Sequence, residues 1–424
     1  MVSTMADLRI RAWVSEHSEL ILTLVANLVK FQTVNLVIDG TEAECQQYVA
    51  QYMKDMGLEV DLFSPEDVPG FHEHPAYFPG KDYTHRPNVI GRWAGKGAGK
   101  SLIFASHVDT AVVADGWQES PWNPVVKDNK LYGLGSFDMK GGLAASIMAI
   151  RCLQDLGVAV AGDVIIESVV DEEFGGANGT LACRVKGIAA DAAIIPEPTN
   201  LAVCPATRGG ALWRVTFRGT TGLSFSGEKM INPVTTAAHF ITYLEQFEQE
   251  RSAQIGPSPW YDQPGQGELP VIVTRVEAGD MDAALNDAGP TQCFVDIWVE
   301  CHPNVSEEEL QEELMSGFRM KHSELVADEK YAPTFEKVIR FLPGCELDPS
   351  FPLIDQLAEV ATAVTGQTTL VQGAPFACDA FMFNVHSSTP AIVFGPKGAN
   401  AHAPEEYIDI PNFVLLVIFV RNGI

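Results

Sequence analysis

The sequence predicts an α/β protein that carries a smaller α+β insertion. Three observations lead there. Over the first half, short apolar runs alternate with helical periodicities, the signature of strands and helices in turn. From about Arg208 the order becomes β-α-β-β-α-β, which is ferredoxin-like. Beyond that stretch the first pattern resumes. The expected main domain therefore spans 1–207 and 343–424, around an insertion at 208–342, and 424 residues leave room for both.

The elements follow in order. DLRIRAWVSEHSELILTLVANLVKFQ spaces Leu24, Val25, Leu28 and Val29 as one or two amphipathic helices do. TEAECQQYVAQYMKDMG reads as another, with Thr41 as N-cap and Gly57 as its stop. LEVDLF alternates like a strand. Residues 65–87, rich in His, Pro and Tyr, read as an excursion loop. NVIGRW and SLIFASH are strands, and GGLAASIMAIRCLQDLG is a helix opening on a glycine pair. GDVIIESVV and DAAIIPEPT are buried strands, in a mainly parallel sheet whose functional groups gather at strand carboxyl ends.

In the insertion, ALWRVTFRG, PVIVTRVEAG, QCFVDIWVECHP and TFEKVIRFLPG are strands. NPVTTAAHFITYLEQFEQE and SEEELQEELMSGFRMKH are helices, the second capped by Ser306 with acids in its first turn. SFPLIDQLAEVATAVTG and PAIVFGP then return as helix and strand.

Charge narrows the function. Against 28 basic residues stand 55 acidic ones, a net charge of −27. That excludes nucleic acid and anionic membrane surfaces as partners. The eight cysteines are scattered with no CxxC pair, so reduced thiols are expected and a thiolate metal site is not. MVSTMADLRIRAWVSEH has no signal-peptide core, and FVLLVIFV is too short to span a bilayer. A cytoplasmic location is the expectation.

Five stretches carry candidate chemistry. FASHVDT sets His107 and Asp109 two residues apart, so a carboxylate can fix the imidazole tautomer. LYGLGSFDMKGG puts Asp138 in a glycine-punctuated turn, able to bridge two cations or simply to cap the next helix. VVDEEFGG crowds Asp171, Glu172 and Glu173 where a buried strand ends, a repulsion that divalent cations remove. IIPEPTN adds Glu197, and VFGPKGANAHAPEEYI adds His402. Together His107, Asp138, Glu173, Glu197 and His402 suit two divalent ions bridged by one carboxylate. Such N/O donors fit zinc, with manganese or cobalt as alternatives. Glu172 is left over as general base toward a water held by the metals.

SHVDT, GSFDMKGG, DEEFGG, PEPT and AHAPEEYI, in that order, resemble the motif series of the M20 metallopeptidase family, which includes acetylornithine deacetylase, succinyl-diaminopimelate desuccinylase, aminoacylase-1 and carboxypeptidase G2. The resemblance runs from about His107 to Tyr407. It implies a two-metal α/β catalytic domain with an inserted lid that commonly dimerises, hence a homodimer or higher homo-oligomer. It also implies that Asp138 bridges, His107 and Glu197 complete one ion's ligands, and Glu173 and His402 the other's. Glu172 is then the proton shuttle, and Asp109 orients His107.

The departures concern substrate recognition. In GTTGLSFSGEKMIN, Leu223 stands where the family's lid histidine is expected. Cys301 falls near the place of its lid arginine. Leu134 replaces a frequent arginine, and Cys378 a usual threonine before Asp379. With Phe225, Phe376, Phe381 and Phe383 nearby in sequence, a more apolar, aromatic substrate is one reading; core phenylalanines are the other.

The function expected is metal-dependent hydrolysis of a C–N bond in a small molecule, of amide deacylase or amidase type. The alternative is hydrolytic deamination of an aromatic amine, as in a nitroanthranilate-type aminohydrolase, for which a lid oxyanion donor matters less. A non-catalytic binding protein would have lost the base or a ligand, and neither is missing. No HExxH helix or GxSxG elbow is present for a mononuclear zinc peptidase or a serine hydrolase.

Overall fold

The computed structural model describes residues 5–36, 38–220, 227, 230–254, 258–262, 268–279, 288–413 and 416–417. The chain divides into two compact units. The first comprises Met1–Thr207, Glu346–Ala374 and Cys378–Ile424, and the second Arg208–Cys345 and Pro375–Ala377.

The first unit is built on a mixed sheet. Its strands lie in the order Glu59–Phe63, Asn88–Trp93, Val164–Val169, Leu102–His107, Ala192–Ile195, Ala391–Val393 and Val203–Thr207. The middle is parallel: Leu102–His107 pairs in parallel with Val164–Val169 and with Ala192–Ile195, which in turn pairs in parallel with Ala391–Val393, and off the main order Val371–Ala374 pairs in parallel with Val203–Thr207. The flanking strands run antiparallel, so the sheet is less parallel than the sequence pattern predicts. The three strands that matter most are mainly apolar, show no alternation of buried and exposed positions and are buried almost throughout, as strands covered on both faces must be.

Helices Met5–Glu16, Ser18–Val29, Ala43–Asp55 and Gly141–Asp155 belong to this unit. The expected N-cap at Thr41 is not formed. Its hydroxyl bonds the carbonyl of Gln32, and Glu42, which precedes the helix, gives no side-chain cap. Gly57 at φ +79° does end that segment. A small second sheet joins Gly398–Ala399, Tyr407–Asp409, Lys130–Tyr132 and Val125–Lys127, strands too short to carry a clear sequence signal.

In the second unit, strands Val271–Ala278, Gln292–Cys301, Gly209–Arg218 and Thr334–Lys337 lie side by side in that order, all antiparallel. With helices Pro233–Gln254 and Glu307–Lys321 this is the ferredoxin-like arrangement. Its core holds Trp213, Phe217, Phe240, Val295, Ile297 and Phe318. Ser306 and Glu309 form the capping box of the second helix. Among the described residues, no helix is long and apolar enough to cross a membrane.

Candidate metal centre

Three neighbouring parallel strands deliver donors from their carboxyl ends. Leu102–His107 ends on His107 itself. Val164–Val169 leads into the turn with Glu172 and Glu173, and Ala192–Ile195 into Glu197. The strand stops at His107, so Asp109 lies beyond it and does not share a strand face with the histidine. Asp138 sits in the irregular turn Ser136–Lys140, where it and Met139 leave helical dihedrals. Helix Gly141–Asp155 follows. Its glycine pair permits a close approach: a Cβ on Gly142 would lie 2.2 Å from the Pro196 carbonyl oxygen, beside Glu197.

The structure brings all five predicted donors and Glu172 together. His107 Nε2 is 3.5 Å from Asp138 Oδ1, 3.5 Å from Glu197 Oε1 and 3.8 Å from Glu172 Oε2. His402 Nε2 is 3.3 Å from Asp138 Oδ2 and 2.6 Å from Glu173 Oε2. The two oxygens of Asp138 thus face different histidines. Donors around a tetrahedral zinc at about 2.1 Å lie about 3.4 Å apart. The contacts of His107 match that spacing. The His402–Glu173 contact is shorter, a direct ion pair.

Electrostatics point the same way. Burial and neighbouring Asp138 push the pKa of Glu197 up to about 8, and burial likewise raises Glu172 and Glu173. Burial disfavours a charged His107, yet Glu197 and Asp138 hold its pKa well above the ordinary value. The Glu173 carboxylate does the same for His402 against partial burial. Burial also opposes ionisation of Asp138, but the two imidazoles facing it keep its carboxyl low. Four acids with two imidazoles thus balance only by holding protons. Divalent cations would displace them. His107 Nε2 and Glu173 Oε1 are moreover buried without a hydrogen-bond partner among the described residues, as atoms meant for a cation would be. The donor set therefore fits a pair of divalent ions.

One detail differs from the sequence reading, and one alternative is decided for two phenylalanines. His107 Nδ1 lies 2.9 Å from the main-chain carbonyl of Asp109 and 3.7 Å from its carboxylate, so the carbonyl is the nearer partner. The carboxylate instead accepts hydrogen bonds from the amides of Glu172 and Glu173, at 2.9 and 3.0 Å, and from Asn35 at 2.8 Å. Phe381 and Phe383 are fully buried core residues, with Phe383 against Arg184 at 4.1 Å. Leu134 and Cys378 are buried as well. Leu223 and Phe225 lie outside the described residues.

One residue was missed. Glu406 is buried and accepts from the amides of Gly135, Phe137 and Asp138 at 3.0, 2.8 and 3.0 Å. It does for the Asp138 turn what Asp109 does for the Glu172 turn. Its only trace in the sequence is the paired acid of HAPEEYI.

Comparison with known proteins gives three findings. The profile of peptidase family M20/M25/M40 matches residues 103–422. A Bacillus subtilis N-formyl-4-amino-5-aminomethyl-2-methylpyrimidine deformylase is 26% identical over 95% of this chain and 93% of its own. Among solved structures, the yeast di-peptidase Dug1p from Saccharomyces cerevisiae aligns with TM-score 0.74 at 14% identity, covering 98% of both chains. Bacillus subtilis YXEP, described as a dinuclear metal binding peptidase, aligns with TM-score 0.61 at 15% identity, covering 96% of this chain and 98% of its own.

Proposed function

The chain belongs to peptidase family M20/M25/M40, and on that premise we propose that it hydrolyses the amide C–N bond of a small acylated amine with a pair of divalent cations. Asp138 carries the reading, because its two carboxylate oxygens face separate histidines. His107 and Glu197 would hold one cation, Glu173 and His402 the other, and Asp138 both. Imidazole and carboxylate donors without thiolate favour zinc, with manganese or cobalt next. The bound cations would polarise the acyl carbonyl and acidify the attacking water.

Glu172 is the base. Its carboxylate stands 3.8 Å from His107 Nε2, grouped with His107 and Glu197. It takes a proton as the water oxygen bonds the acyl carbon, and returns it to the nitrogen as the C–N bond breaks. The products are a carboxylic acid and a free amine. Asp109 assists by holding the Glu172 and Glu173 amides.

The pyrimidine deformylase relative makes N-formyl amines of small heteroaromatic compounds the first substrates to try. The arylamine alternative is not carried forward, since it rests on Leu223, outside the described residues. The second unit acting as a lid and dimerisation domain belongs to the same proposal, as does a cytoplasmic location. That all eight cysteines are buried and none is in a disulfide supports the latter.

The test is an assay of zinc-loaded protein on N-formyl and N-acetyl amines, including N-formyl-4-amino-5-aminomethyl-2-methylpyrimidine, reading acid and amine release. Turnover should vanish on chelation and return with zinc. Chelator-insensitive turnover, or ammonia from arylamines without amide cleavage, would overturn the reading.

A further inference from the structure

We propose that the excursion at residues 65–87 is a positioning element for the turn bearing Glu172 and Glu173, with Tyr83 and Lys81 as its positioning residues. The inference rests on the roles just given to those two glutamates. It starts from Asp171, which the chemistry above leaves unused. Asp171 is completely buried and holds φ at +66°, a left-handed conformation rare for a residue with a side chain. Its own carbonyl receives the amide of Ala177 at 2.6 Å, closing the turn. A Cβ on Gly176 would lie 2.3 Å from Asp171 Cγ, so the turn closes tightly on this side chain.

The excursion supplies most of what holds Asp171. The Tyr83 hydroxyl donates to Asp171 Oδ2 at 2.5 Å. Lys81 Nζ lies 2.9 Å from Oδ1, at an angle outside hydrogen-bond geometry but at ion-pair distance. Arg86, bidentate on Glu42, stands 3.9 Å away, and Asn35 adds a 3.4 Å bond from another segment. The excursion also grips the far end of the turn. The Asn178 side chain receives the Phe78 amide at 3.2 Å and donates to its carbonyl at 2.8 Å. Phe71, fully buried and edge-on to Tyr77 and Tyr83, anchors the excursion itself.

The turn is therefore pinned at Asp171 and Asn178 by the excursion, and at the two glutamate amides by Asp109. Rotation at Asp171 would swing the Glu172 Cα–Cβ bond, and so the aim of the base. Small misplacements of a reacting group are costly in rate but not in substrate affinity.

The test compares Tyr83→Phe, Lys81→Met and Lys81→Arg in the zinc-loaded protein, with Glu66→Gln, on the excursion but away from Asp171, as control. Tyr83→Phe should speed amide exchange in 171–177 about tenfold or more and lower kcat by roughly 10- to 100-fold, with KM and zinc content nearly unchanged. Lys81→Met should do the same more weakly, Lys81→Arg should recover most of the loss, and Glu66→Gln should change nothing. Unchanged exchange in both Tyr83→Phe and Lys81→Met would overturn the proposal. So would faster exchange with unchanged kcat, which marks a merely structural contact, or a raised KM alone, which marks substrate contact. Amide exchange needs no substrate, so it decides the matter for the turn even if the protein cleaves none of the amides tried. Lys81→Met serves should Tyr83→Phe fail to fold.

Discussion

The two halves of the donor set are built differently. His107 and Glu197 stand at the ends of adjacent parallel strands and are 2% and 3% exposed. Glu173 stands on a pinned turn with its side chain 2% exposed, but its partner His402 stands on a loop with its side chain 52% exposed, at φ +59°. A donor at a strand end inherits the rigidity of its ladder, whereas a donor on a surface loop moves with the loop. One ion should therefore be held tightly and dry, and the other should exchange with solvent. Asp138 belongs to both halves.

Asp138→Ala should erase the distinction. Both ions should be lost and activity should fall to background, as read by elemental analysis after gel filtration. Retention of one ion would mean that Asp138 does not bridge. Glu172→Gln should lower turnover by roughly 10²- to 10⁴-fold while leaving the metal content intact. Loss of metal there would make Glu172 a ligand. The asymmetry itself is read by chelator titration of His107→Ala and His402→Ala. The first should lose the slowly exchanging ion and the second the fast one; equal behaviour would break the comparison. Smallest should be Glu406→Gln, which loosens the Asp138 turn without removing a donor. It should weaken metal binding about 10- to 100-fold with no change in stoichiometry.

The tight half was the more legible in sequence. His107 and Glu197 follow short apolar runs, and a buried strand announces its own end. In the other half Glu173 also follows a buried strand, but His402 was legible only as motif, because nothing local says that its loop folds back onto Asp138. The supports were legible least. Glu406 reaches its amides across more than 260 residues, and Tyr83 reaches Asp171 across 88. No periodicity encodes such pairings. The misplaced N-cap is a local matter: Thr41 bonds the carbonyl of Gln32, nine residues back, instead of its own helix. Asp109 was identified, but its carboxylate serves the amides of Glu172 and Glu173, a partnership that spacing to His107 could not reveal.

The central claim is a pair of cations shared by one carboxylate, with a neighbouring glutamate free. Anomalous diffraction from zinc-loaded crystals tests it most directly. Two peaks should flank Asp138, one beside His107 and Glu197 and one beside Glu173 and His402, with the Glu172 carboxylate bound to neither. A single peak, or Glu172 ligating either ion alongside His107, would contradict the account.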